Sequence, residues 1–150
     1  MRTSIIAAIA AFVASATVAA APSNVYASWP ATDFGEGCSP GGCIASFNIS
    51  AWDGYVQGMP AFDVVCHPVY IQSGWRECEP VGEQAAGSVV EAIWTEASQR
   101  EYIRISVAHI LTEGEKSTNA SGWVEFASGT TDFEILVTSV FTLLPGTTSE

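Results

Sequence analysis

Segment after segment of this 150-residue chain alternates apolar and polar side chains with a period of two. In the stretch 43–50, Phe47 and Ile49 share one parity and Ser46, Asn48 and Ser50 the other. Ile103, Ile105 and Val107 alternate with Arg104, Ser106 and Ala108. Phe133, Ile135, Val137 and Phe141 share a parity over 132–143. Shorter apolar runs at 61–66, 69–75, 88–94 and 122–127 fit the same scheme. Side chains of a strand point alternately to opposite faces, so this period selects half-buried antiparallel β structure over amphipathic helix. Turn residues fall between the segments: Asp53-Gly54, Gly58-Met59-Pro60, Gly82, Gly87, Glu113-Gly114 and Ser128-Gly129. The expected fold is all-β, a compact antiparallel barrel or sandwich of about seven to nine strands. The stretch 91–100 has a helix-like composition, but its apolar neighbours favour strand. The polar stretch 113–119 is expected to be an exposed loop, with 69–75 returning beside 61–66.

The first residues set the compartment. Arg2 precedes an apolar run from Ile5 to Val18, and no acid occurs before Asp33. The run ends on small residues at Val18 and Ala20, which suits cleavage after Ala20. This order is that of a secretory signal peptide over 1–20, followed by one β domain over 21–150 with its core at about 28–143. The run is shorter than the ~20 apolar residues a bilayer requires. The protein is therefore expected outside the cell.

Four cysteines follow the leader: Cys38, Cys43, Cys66 and Cys78. In an exported chain an even number implies disulfides. Four cysteines allow three pairings, and the two local pairs, Cys38–Cys43 and Cys66–Cys78, are preferred. Ser39-Pro40-Gly41-Gly42 can turn sharply enough to close the first. The spacings are not those of a zinc knuckle and only His67 lies near, so no metal is expected. No cofactor motif is present either.

Sixteen acidic residues stand against five basic ones, and Arg2 leaves with the leader. So negative a field opposes nucleic acid and anionic membrane surfaces as partners. Catalytic motifs are sparse. There is no Gly-x-Ser-x-Gly elbow and no His-Glu-x-x-His. Of the two histidines, His67 sits between Cys66 and Pro68. His109 ends its strand on the inward parity, where a hydrogen-bonded strand-end role is expected. A serine hydrolase would need one of them beside a serine. Glu91, Glu101, Glu125 and Glu134 fall opposite or nearly opposite the apolar parity, where solvated charges belong.

Two Asn-x-Ser sequons mark glycosylation candidates, Asn119 in the expected loop and Asn48 on an outward strand position. Five tryptophans occur, at 29, 52, 75, 94 and 123. Most should fill the core, and Trp75 should pack near Cys78. Trp52 lies outside the alternation in Ala51-Trp52-Asp53-Gly54-Tyr55. Exposed together, Trp52 and Tyr55 would make a platform for a sugar, a phenolic or a partner protein.

The order Asp33-Phe34, Gly37-Cys38 and Gly42-Cys43-Ile44-Ala45-Ser46-Phe47-Asn48-Ile49-Ser50 resembles the start of small secreted fungal proteins similar to the major Alternaria allergen. Cys66 with Gly74-Trp75-Arg76-Glu77-Cys78 resembles their central disulfide segment. The stretches 122–126 and 132–140 resemble their closing strands. The resemblance implies a β-barrel, an extracellular location, the pair Cys66–Cys78 and no established enzymatic activity. It also implies an allergen- or effector-like role toward a plant host. The allergen carries a further C-terminal bridge and a dimer-linking cysteine. No cysteine follows Cys78 here, so a monomer or non-covalent dimer is expected. The function expected is non-catalytic binding of a host protein or of a small sugar or phenolic. The alternatives are a small hydrolase with paired carboxylates and a wall-associated structural protein.

Overall fold

The computed structural model describes residues 24–145. The expected signal peptide and the tail beyond Pro145 lie outside the described residues. Nine strands follow in order: β1 (Ala27–Ser39), β2 (Gly42–Ala51), β3 (Phe62–Cys66), β4 (Arg76–Glu77), β5 (Glu79–Pro80), β6 (Ser88–Thr95), β7 (Tyr102–Glu113), β8 (Lys116–Ala127) and β9 (Phe133–Leu143). They form one antiparallel sheet in the order β4-β6-β7-β8-β9-β1-β2-β3-β5. Because β4 and β5 flank a single residue, Cys78, the two ends of the sheet meet and the sheet curls into a nearly closed barrel. No helix occurs among the described residues.

The alternation locates the core. From β7 the side chains of Ile103, Ile105, Val107, His109 and Leu111 face inward. Val90, Ala92 and Trp94 of β6 meet Phe47 and Ile49 of β2 and Val64 of β3 inside the barrel. Two aromatic groups occupy opposite ends of this core. Phe34, Phe47, Phe126 and Phe133 pack ring against ring at one end. Trp29, Tyr55, Phe62 and His109 do so at the other. Closure of the wall rests on the segment 76–80. Its two short strands reach β6 on one side and β3 on the other. The Cys78 amide donates to the Val90 carbonyl at 2.8 Å, and the Cys78 sulfur is bonded to Cys66. The second disulfide joins Cys38 and Cys43 across the β1–β2 hairpin. Both local pairings expected from the sequence are therefore present.

Several local expectations are corrected. The polar stretch 113–119 is not a loop. Glu113 pairs with Lys116, and Gly114-Glu115 alone make the turn, with Gly114 at φ 62° as the first central residue of a two-residue hairpin. Asn119 therefore lies within β8, between Ile110 and Phe141. The stretch 69–75 does not return beside β3. Val69 bridges Ile44 of β2, and Tyr70 bridges Trp94 of β6. Strand β1 had no clear sequence signal. It breaks register between Thr32 and Gly35, where Asp33 adopts φ 56°. Asn48 Nδ2 donates to the Asp33 carboxylate at 3.0 Å there. The strand reading of 91–100 holds through Thr95.

Gly122 marks a close approach between β8 and β9. It lies at the register shift of β8 on β9, and a Cβ there would overlap the Leu136 carbonyl oxygen. That carbonyl is backbone and the neighbouring Ile135 side chain is buried core, so neither has much room to move. Gly122→Ala is expected to cost about 2–3 kcal/mol by overpacking, read as a lower urea midpoint. An unchanged midpoint would contradict this close approach.

Candidate functional site

A polar chain runs through the aromatic end of the barrel. Gly87 adopts φ 75° with its Cα against the Thr112 carbonyl, where any side chain would overlap that oxygen. This places Ser88, the first residue of β6, facing inward. Ser88 Oγ lies 2.6 Å from His109 Nε2, and Tyr55 Oη lies 2.7 Å from His109 Nδ1. Gln84 Nε2 donates to the Ser88 carbonyl at 2.9 Å and to Ser88 Oγ at 3.3 Å. His109 is fully buried, and Ser88 and Tyr55 are 9 % exposed. His109 occupies the middle of β7, opposite Val90 and Ala120, and not its end. Its inward orientation agrees with the parity of the strand, and both ring nitrogens are hydrogen-bonded. Ser88 and Gln84 carried no sequence signal of their own beyond the need of a core histidine for partners.

Burial dictates what this chain can do. Removal from water pushes the His109 imidazole down to about 4 and the Tyr55 hydroxyl well above its ordinary value. His109 is therefore neutral near pH 7, with one ring nitrogen donating and the other accepting. Tyr55 and Ser88 accordingly take opposite hydrogen-bond roles toward it. A serine hydrolase must form imidazolium when histidine takes the serine proton, and a carboxylate normally stabilises that cation. Here a tyrosine stands in the carboxylate's place. The depressed basicity adds about 3 kcal/mol to forming the cation. The geometry favours a structural tie over nucleophile activation.

The tie anchors the segment 52–61, which contains no strand. The segment folds on itself through Gly54 N–H to Met59 O at 2.9 Å and Met59 N–H to Val56 O at 3.0 Å. Tyr55 and Met59 are its buried anchors. Trp52 points the other way and is 70 % exposed. The expected pairing of Trp52 and Tyr55 on one surface is therefore corrected: Trp52 is outside, Tyr55 inside. Trp52 borders an open hollow of about 400 Å³ with Phe62, Asp63, Glu83, Ser50 and Pro30. A second hollow of about 360 Å³, on the other side of the segment, is bordered by Asp53, Met59, Leu111 and Glu113.

The other candidates are dispersed. His67 lines a shallow hollow with Asp33 and Glu36. Trp29 and Trp94 are core residues, whereas Trp75 and Trp123 are about half exposed. Glu91 is half-buried, Glu134 is exposed, and Glu101 sits in a turn at φ 68°. Glu125 is not simply solvated. The Ser98 hydroxyl and amide, then Arg104, hold its carboxyl below the usual range. Arg104 Nη2 lies 2.6 Å from Glu125 Oε1, and the guanidinium stacks 4.6 Å from the Trp123 ring centroid. Among the described residues, no group of three or more His, Cys, Asp or Glu is placed to hold a metal.

Fold and site together define a small all-β protein stapled by two disulfides, of the kind found outside cells. Comparison with protein-family models, characterised proteins and solved structures finds no match for this chain.

Proposed function

We propose that the protein is a secreted, non-catalytic binding protein of the allergen and effector type, and that its ligand site is the Trp52 hollow. One observation carries this reading: a large aromatic ring is held 70 % exposed at the edge of a concavity. A flat apolar face of this kind stacks on the C–H face of a sugar ring or on a phenolic ring. Asp63, Glu83 and Ser50 border the same hollow and can accept hydrogen bonds from ligand hydroxyls. Buried Phe62 belongs to the wall behind them and is fixed by the core. The resemblance to the Alternaria allergen family supports an extracellular role toward a plant host, with the ligand drawn from host sugars or phenolics. The inward-facing Ser88–His109–Tyr55 chain, with its poorly basic imidazole, supports binding over hydrolysis.

Panels of plant-wall oligosaccharides and soluble phenolics, applied to the purified protein and to Trp52→Ala, test this reading. Trp52→Ala is expected to weaken capture of any ligand by about threefold to tenfold, the effect of losing one stacked aromatic face. The fold should be unchanged, because Trp52 packs outside the core. Equal capture by both proteins, or capture of no compound in either panel, would overturn the reading.

A further inference from the structure

The segment carrying Trp52 is held to the barrel by side chains and not by a strand ladder. It pairs with no strand. Its backbone hydrogen bonds at Gly54, Tyr55 and Met59 are internal to the segment. The connection to the barrel therefore runs through buried side chains, and Tyr55 supplies the polar one. Protonated imidazole carries a proton on both ring nitrogens. Tyr55 and Ser88 would then both have to accept, so whichever hydroxyl donates to the neutral ring loses that bond.

We propose that the Tyr55–His109 contact positions the Trp52 segment for binding and releases it in acid. Tyr55 and His109 are positioning residues, and neither touches the ligand hollow. The proposal rests on the reading of Trp52 as the ligand site.

The surroundings of His109 offer the cation no compensation. From the segment 52–61 it meets Tyr55, and from β3 the ring of Phe62 at 4.7 Å. From β6 it meets Ser88 and stands opposite Val90, and from β8 it stands opposite Ala120. The titratable group in contact with it is Tyr55. The carboxylates carried by these elements, Asp53, Asp63, Glu91, Glu113 and Glu125, make no hydrogen bond to the ring, whose partners are Tyr55 and Ser88. An imidazole freed into water regains its ordinary value near 6.5, against about 4 when closed. Opening of the segment should therefore become more frequent across that interval. The full difference corresponds to an increase of up to about 300-fold in the opened fraction.

Hydrogen exchange of the Gly54 and Met59 amides between pH 7 and pH 3.5, corrected for intrinsic rates, reads this opening through the segment's internal hydrogen bonds, which lose their cover when Tyr55 lets go. Expected is a loss of protection of the order of 100-fold as the pH falls below about 6.5, with β7 amides such as Ile105 still protected. His109→Gln, which does not titrate, should give a flat profile. Tyr55→Phe, which keeps the ring, should give weak protection at every pH. Flat protection in the wild type, or an equally steep loss in His109→Gln, would overturn the proposal. If His109→Gln does not fold, a Tyr55→Phe profile that matches the wild type overturns it instead. Ligand capture that survives Trp52→Ala would sink the binding-site reading but would leave the exchange profile as it is.

Discussion

Replacing Cys66 and Cys78 together by alanine is expected to lower the unfolding free energy by about 3–5 kcal/mol. Removal of Cys38 and Cys43 should cost about 2 kcal/mol or less. Cys66 and Cys78 are 12 positions apart and Cys38 and Cys43 only 5, so loop-closure entropy already favours the first pair. Topology adds the larger difference. Cys38 and Cys43 face each other across a hairpin that the Pro40-Gly41 turn and the β1–β2 ladder close without help. Cys66 and Cys78 join the two ends of the sheet, where β4 and β5 contribute only two residues each. Both sulfurs are buried, so their loss also leaves a void beside Val64 and Val90. Urea titrations of the two double variants measure the contrast. Equal midpoints would contradict a barrel whose closure depends on the 76–80 strap.

Stability should also fall in mild acid through His109. The unfolded chain binds the His109 proton at an ordinary value near 6.5, whereas the folded protein does so only near 4. Between these values the unfolded state holds more protons, so the unfolding free energy rises with pH across the interval. Stability is full above about 6.5 and falls as the pH drops toward 4. The total His109 contribution is about 3 kcal/mol. The Glu125 carboxyl, held low by Ser98 and Arg104, adds a loss of the same sign at lower pH. The two separate in a variant: His109→Gln should lose the slope between pH 6.5 and 4 and retain the fall below it. A wild-type midpoint constant between pH 7 and 4.5 would contradict the burial of a neutral imidazole.

Strands with one wet and one dry face were legible in the sequence, because water and core select different residues at alternate positions. β7 is the clearest case, from Ile103 to Leu111. β1 escaped notice for the opposite reason. Pro30, Asp33, Gly35 and Gly37 interrupt its alternation, and its bulge shifts the parity. Its pairing with β9 joins the two ends of the domain, which no local pattern encodes. The first four residues of β8, Lys116 to Asn119, are polar on both faces and read as a loop in the sequence. Its register is imposed by the hairpin with β7. The same division governs the site. The inward parity of His109 was visible, and so was the irregular setting of Trp52. The partners of His109 were not, since Tyr55 lies 54 positions away and Ser88 21. Only the closed barrel brings them together, and only it turns Tyr55 inward while leaving Trp52 outside.

An outer binding face at Trp52 and an inner structural tie at His109 are separated by a single titration. Amide and indole resonances of the labelled protein would be followed by NMR as plant-wall oligosaccharides and phenolics are added. The account predicts shifts at the Trp52 indole and at Asp63 and Glu83, unchanged resonances at Ser88 and His109, and no turnover of the added compound. Shifts centred on Ser88 and His109, with the compound cleaved, would contradict it.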